Sequence, residues 1–144
     1  MTLGFVKRLL GISPQPQAEP AEPLPPGTLR LHLFHGAFET EEDALAYCFD
    51  APDPDLPEPF TNDLPEAFVD TDFVEVSYGD ARHLALSDYF HSDLAEDLLD
   101  RQGDANTLVI VVEEAFGGFP FRVHDTPRLT YMGPFEADLT KRGT

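Results

Sequence analysis

Tryptophan is absent from this 144-residue chain, cysteine occurs once and lysine only twice. A single cysteine excludes a disulfide scaffold and a cysteine-rich zinc site, and fits a reducing compartment. No apolar run approaches the ~20 residues that a membrane-spanning helix needs. The start has no secretory pattern, because Lys7 and Arg8 interrupt its short apolar stretch and a proline-rich segment follows. A cytoplasmic location is therefore expected. Positive charge is the scarcest commodity: 9 basic residues face 27 acidic ones, a formal charge of −18. Phosphates would be repelled, so nucleic acid is not an expected partner. What is present is a 42% hydrophobic and 11% aromatic composition, which excludes a wholly disordered chain and suffices for one ordinary domain.

The chain divides unequally. Residues 1–12 form an apolar patch with two cations. On a helical wheel Leu3, Phe5, Val6, Leu9, Leu10 and Ile12 share about half the circumference at ~100° per residue, with Lys7 and Arg8 outside it. This is a short amphipathic segment that either frays or touches an anionic membrane weakly through Phe5, Val6, Leu9 and Leu10. Residues 13–27 hold six prolines and read as an extended, disordered spacer. A single globular domain is expected over 28–140, with a short tail over 141–144.

Within that domain, residues 28–35 alternate as a strand buried on its Leu29, Leu31 and Leu33 side. Thr40, with Asp43 three residues on, predicts an N-cap and a helix over 41–49, its inward stripe being Ala44, Leu45, Cys48 and Phe49. Four prolines make residues 50–62 an irregular loop, after which Asn62 or Asp63 caps a helical turn through 65–68. Residues 72–78 read as a second strand, with Val74, Val76 and Tyr78 on one face. A turn of helix falls within 83–90. Ser92 is expected to cap a helix over 93–102, with Leu94, Ala95, Leu98 and Leu99 inward and Gly103 as its stop. The continuous run at 107–112 marks a central strand buried on both faces. Short strands are expected at 119–123 and 129–135. The predicted class is α+β: a mixed, mostly antiparallel sheet with two main helices packed on it.

Charge is concentrated as well as abundant. No lysine or arginine occurs from 31 through 81, a stretch carrying fourteen acids, and over 28–140 five arginines stand against 25 acids. A cationic partner, a saline habitat and plain solvation each account for such a surface. Asp53, Asp55, Glu58, Asp63, Asp70 and Asp72 are the candidate partner-binding residues.

Motifs for other chemistry are weak. His32 and His35 have strand spacing that points their rings to opposite faces, against joint metal ligation. Asp53-Pro-Asp55 and Asp70-Thr-Asp72 lack the spacing of a calcium loop. Ser77, Ser87 and Ser92 lie in no nucleophile-elbow pattern, and Gly117-Gly118 opens no phosphate-binding helix. Cys48 falls on a buried stripe, where a thiol is inert. His83, His91 and His124 could each find an acid for proton transfer, but acids are everywhere in this chain. No catalytic residue, metal or cofactor is expected.

Several short stretches together resemble the bacterial immunity protein 22 family of polymorphic toxin systems. They are Leu31-His-Leu-Phe-His-Gly-Ala-Phe-Glu-Thr-Glu-Glu-Asp-Ala-Leu, Phe60-Thr-Asn-Asp-Leu, Asp72-Phe-Val-Glu-Val-Ser-Tyr and Tyr89-Phe-His-Ser-Asp-Leu. Val109-Ile-Val-Val and Leu129-Thr-Tyr-Met-Gly-Pro-Phe-Glu-Ala-Asp complete the set. Order and spacing carry the resemblance, which spans about 29–138. Phe34 stands at a Trp-type position, and the stretch 117–127 departs from the pattern. The resemblance implies an immunity protein that binds and neutralises a cognate protein toxin, with no catalytic residues of its own. Together with the acidity, it points to a cationic, nuclease-type toxin. A membrane-tethered adaptor and a small metal-dependent hydrolase are the rival expectations.

Overall fold

The computed structural model describes residues 27–138. The amphipathic segment 1–12 with Phe5, Val6, Leu9 and Leu10, nearly all of the proline-rich spacer and the tail 141–144 lie outside the described residues. Four strands, β1 (Thr28–Gly36), β2 (Val74–Tyr78), β3 (Thr107–Val112) and β4 (Thr130–Asp138), form one sheet in the order β2-β3-β1-β4. Every pairing is antiparallel. Helices α1 (Glu41–Phe49), α3 (Ala81–Tyr89) and α4 (Ser92–Arg101) and the single-turn α2 (Pro59–Asn62) complete an α+β domain. No helix among the described residues is long and apolar enough to cross a membrane.

β1 is buried on both sides from Leu31 through Phe34, not on one side as its alternation implied. The sheet order is the reason: β1 lies inside the sheet between β3 and β4, and both faces are covered. One core holds Phe34, Val74, Val109 and Val111 beneath α1, α2 and the 113–129 segment, with Phe60, Phe116 and Phe121. The other holds Leu31, Leu33, Leu108 and Ile110 beneath α3 and α4. Each fully buried large side chain contributes roughly 1.5–3 kcal/mol, so the two-sided sheet is the main source of stability. β3 is buried throughout Thr107–Val111, as its continuous, largely β-branched run requires.

The edge strand β4 tolerates Pro134, opposite His32, because an edge residue has a side with no ladder bond to donate. Its register slips by one residue at Met132, so that Leu33 faces Gly133 while Phe34 faces Tyr131.

Several local expectations are corrected. Helix α1 turns Ala44, Tyr47 and Cys48 inward, leaving Leu45 and Phe49 partly exposed. Its Thr40 cap is as expected, Oγ1 accepting from the Asp43 N–H at 3.1 Å. The short helix after the proline loop starts at Pro59 rather than after Asp63. Proline fits a first helical position, and Phe60 is anchored between the rings of Phe34 and Tyr47. Residues 81–89 form a full helix instead of one turn. Ser92 opens α4 without capping it, and Leu94 stays partly exposed. Residues 119–123 form no strand: Arg122 N–H bonds to the Glu66 carbonyl, and Phe121 stacks on Phe116 with ring centroids 4.1 Å apart.

Candidate functional site

The acids that the sequence bunches together reach the surface on and after α1. Glu41, Glu42 and Asp43 occupy its first turn, where the helix dipole favours negative charge. Leu45 and Phe49, 38% and 36% exposed, lie one helical turn apart among them. The loop that follows exposes Leu56 as well. Between α1 and α2 runs an open groove of about 750 Å³, lined by Glu39, Asp43, Ala46, Tyr47, Asp50, Pro59 and Arg128. Its carboxylates thus come from both ends of α1.

The floor of the groove is fixed by Tyr47. Its hydroxyl donates to Asp63 Oδ2 at 2.6 Å and lies 2.8 Å from Thr126 Oγ1. Burial, and then the bond to Asp63, push the Tyr47 pKa well above the ordinary tyrosine value. The phenol therefore stays a donor at any physiological pH. Arg128 forms one wall, its guanidinium 4.2 Å from the centroid of the Phe38 ring. That contact shows how a planar cation sits against an aromatic at the mouth of this groove.

The six candidate acids fall into two neighbourhoods. Asp53 and Asp55 are exposed on the loop, where Asp53 Oδ1 accepts from the Asp55 N–H at 2.9 Å. Glu58 precedes α2 and accepts from Thr61 Oγ1 at 3.1 Å. Asp63 holds Tyr47, as above. Asp70 and Asp72 belong to a separate turn, where Asp70 Oδ1 accepts from the Asp72 N–H at 3.0 Å. The Asp70 N–H itself donates to the Ala115 carbonyl at 2.8 Å. Four of the six carboxylates therefore also hold local backbone or side-chain geometry. The sequence reading missed Glu39 and Asp43 as groove residues. The acidic first turn of a capped helix was the available signal.

A buried polar chain, which no local pattern announced, crosses the sheet beside the aromatic core. His32, 3% exposed, sits between Tyr131 and Glu113: Nδ1 is 2.8 Å from the Tyr131 hydroxyl and Nε2 is 2.9 Å from Glu113 Oε1. A carboxylate only accepts, so Nε2 carries the proton and Nδ1 receives the Tyr131 hydroxyl. Glu113 Oε2 also accepts from Arg30 at 3.1 Å, and Arg30 reaches Glu136 at 3.6 Å. Burial lowers the His32 pKa and outweighs the opposing pull of Glu113, so the ring is neutral at pH 7. Edge-on contacts with Phe116 and Phe121 seal it. This arrangement holds β1, β4 and the 113–116 turn together.

His35, on the opposite side of β1, shares the lining of a shallow depression with Gln102, Asp104 and Thr130. Burial lowers its pKa, against the pull of Asp125. His83, His91 and His124 are exposed. Cys48 is buried in α1, which pushes its thiol up to about 12. Among the described residues no three His, Cys, Asp or Glu side chains converge as a metal-binding group. Comparison with protein-family models, with curated proteins and with solved structures finds no match to this chain.

Proposed function

We propose that this chain is an immunity-type inhibitor that binds and neutralises a cationic protein toxin in the cytoplasm of the cell that makes it. The observation that carries the reading is the composition of the α1 surface. Exposed carboxylates at Glu39, Glu41, Glu42, Asp43 and Asp50 surround the partly exposed Leu45 and Phe49, beside an open groove. Apolar anchors within a charged rim are the usual make-up of a protein–protein contact. A nuclease-type toxin presents lysine and arginine where it meets phosphate, and an acidic surface can occupy that place. The resemblance of residues 29–138 to the immunity protein 22 pattern points the same way. Inhibition by occlusion needs no catalytic group. Asp53, Asp55, Glu58 and Asp63 extend the same surface through the loop and α2.

The test is protection. The genes adjoining that of this chain are screened for a toxic domain, the chain is co-expressed with it in a bacterial host, and growth is followed. Association of the purified pair is then measured across salt concentrations. Protection and fast, salt-sensitive association are expected. Glu39→Lys, Asp50→Lys and Asp55→Lys together should slow association at low salt by more than about tenfold and flatten its salt dependence. Absence of protection, or association indifferent to both salt and charge reversal, overturns the proposal.

A further inference from the structure

A second surface, away from the α1 groove, has an unusual make-up. Phe68 and Phe119 are 55% and 58% exposed, yet their rings meet edge to face with centroids 5.7 Å apart. Gly117 permits this. Its φ is +68°, and a Cβ there would come within 3.2 Å of both rings. The sequence around the first ring, Phe68-Val-Asp-Thr-Asp-Phe73, places Asp70 and Asp72 between two exposed aromatics. The Asp70 N–H bonds to the Ala115 carbonyl, which brings these acids to the turn that ends at Gly117. Glu114, on that turn, is exposed. The cation recorded at this end, Arg122, is ion-paired with Glu66 at 3.2 Å.

We infer that the Phe68–Phe119 pair is a seat for an arginine side chain of a protein partner, stacked on a ring and flanked by Asp70 and Asp72. The inference rests on the cationic-partner reading above and adds a second contact to it. Two exposed phenylalanines in mutual contact form an apolar patch that water does not favour. The negative face of each ring attracts a planar guanidinium, and the neighbouring carboxylates strengthen that attraction. A second copy of this chain is a poor occupant, because it would bring a domain of 25 acids and five arginines against its like. Charge complementarity selects a cationic segment instead.

The experiment titrates the full chain, with its phenylalanine rings 13C-labelled, with the blocked peptide acetyl-Arg-Gly-Arg-amide at low salt. Acetyl-Lys-Gly-Lys-amide and acetyl-Glu-Gly-Glu-amide serve as comparisons. The Phe68 and Phe119 ring signals should shift with the arginine peptide, less with the lysine peptide and not with the glutamate peptide. Phe119→Leu keeps an apolar side chain without a ring, and should weaken arginine-peptide binding roughly fivefold. Asp72→Asn should weaken it about twofold. Leu84→Ala, at an exposed leucine of α3, should leave it unchanged. Shifts confined to Phe49 of α1, or equal binding by Phe119→Leu, overturn this seat while leaving the α1 proposal intact. No shift at either ring also overturns the seat, whereas the α1 proposal stands or falls by protection and salt-dependent association. Ring shifts that follow protein concentration without peptide would mark a self-association face and overturn the arginine seat.

Discussion

Replacing His32 with glutamine tests the buried polar chain through its pH dependence. In the folded protein the neutral ring donates from Nε2 to Glu113 and accepts at Nδ1 from Tyr131. Burial holds its pKa below the ordinary 6.5, against the pull of Glu113. On acidification the unfolded chain therefore binds this proton first. Stability is fully present above about pH 6.5 and falls as the pH drops toward the folded-state pKa. One proton sets the steepest loss at about 1.4 kcal/mol per pH unit. Glutamine does not titrate, and its amide can donate to Glu113 in place of Nε2. It loses the edge-on packing with Phe116 and Phe121, 5.2 and 5.3 Å away, and strands the Tyr131 hydroxyl. These losses amount to about 1–3 kcal/mol at neutral pH. Urea unfolding across the range from about pH 5.5 to 8 measures both effects. The stability advantage of the native sequence over the variant should be largest at high pH and shrink on acidification. His35 titrates with the same sign in both proteins and cancels in the difference. A difference that stays constant or grows as the pH falls would refute the neutral, buried assignment of His32.

Two further predictions rest on packing. Gly36→Ala should lower stability by about 1–3 kcal/mol, seen as a lower urea midpoint, because the new methyl would strike the Arg128 carbonyl oxygen and lie 2.8 Å from Leu129 Cδ2. A midpoint equal to that of the native sequence would contradict that close approach. Cys48, its thiol pushed up to about 12 by burial, should resist a disulfide reagent at about pH 8 in the folded protein and react fully in denaturant. Prompt labelling of the folded chain would contradict the inward face assigned to α1.

Elements whose cause is local were legible in the sequence. Thr40 caps α1 through its own hydroxyl, and Gly103 follows α4 with a φ of +59°. Thr107–Val112 advertises double burial in its own composition. What stayed hidden depends on residues far along the chain. His32 looked like the wet side of a half-buried strand because its partners, Glu113 and Tyr131, lie 81 and 99 residues away. The α1 stripe was misread because Leu45 and Tyr47 border the same arc. Tyr47 turns inward because its hydroxyl finds Asp63 and Thr126, a fact outside the helix. In the candidate site, the clustered acids were legible as a run. Their separation into a groove at α1 and an aromatic turn at Phe68 required the tertiary fold.

The arrangement of ion pairs bears on why the domain carries so much negative charge. Acidity suited only to a saline medium has no need to distinguish one side of the molecule from another. In this chain the recorded ion pairs fall at a few places. On the outward face of α4, Asp97 is paired with Arg101 at 2.7 Å, and beside β1, Glu113 and Glu136 share Arg30. Among the described residues, the recorded ion pairs include no acid of the α1 groove, of the loop after it, or of the Asp70–Asp72 turn. Mutual repulsion among these carboxylates opposes folding. The doubly covered sheet, with six buried aromatic side chains in the core on its α1 side, supplies apolar burial that offsets this repulsion. Arriving lysines and arginines would relieve the repulsion at those positions and leave the Asp97–Arg101 pair of α4 little changed. On the proposed reading, binding of a cationic partner would stabilise the fold as well as block the partner. Its salt dependence should come from the groove, the loop and the aromatic turn rather than from the surface at large.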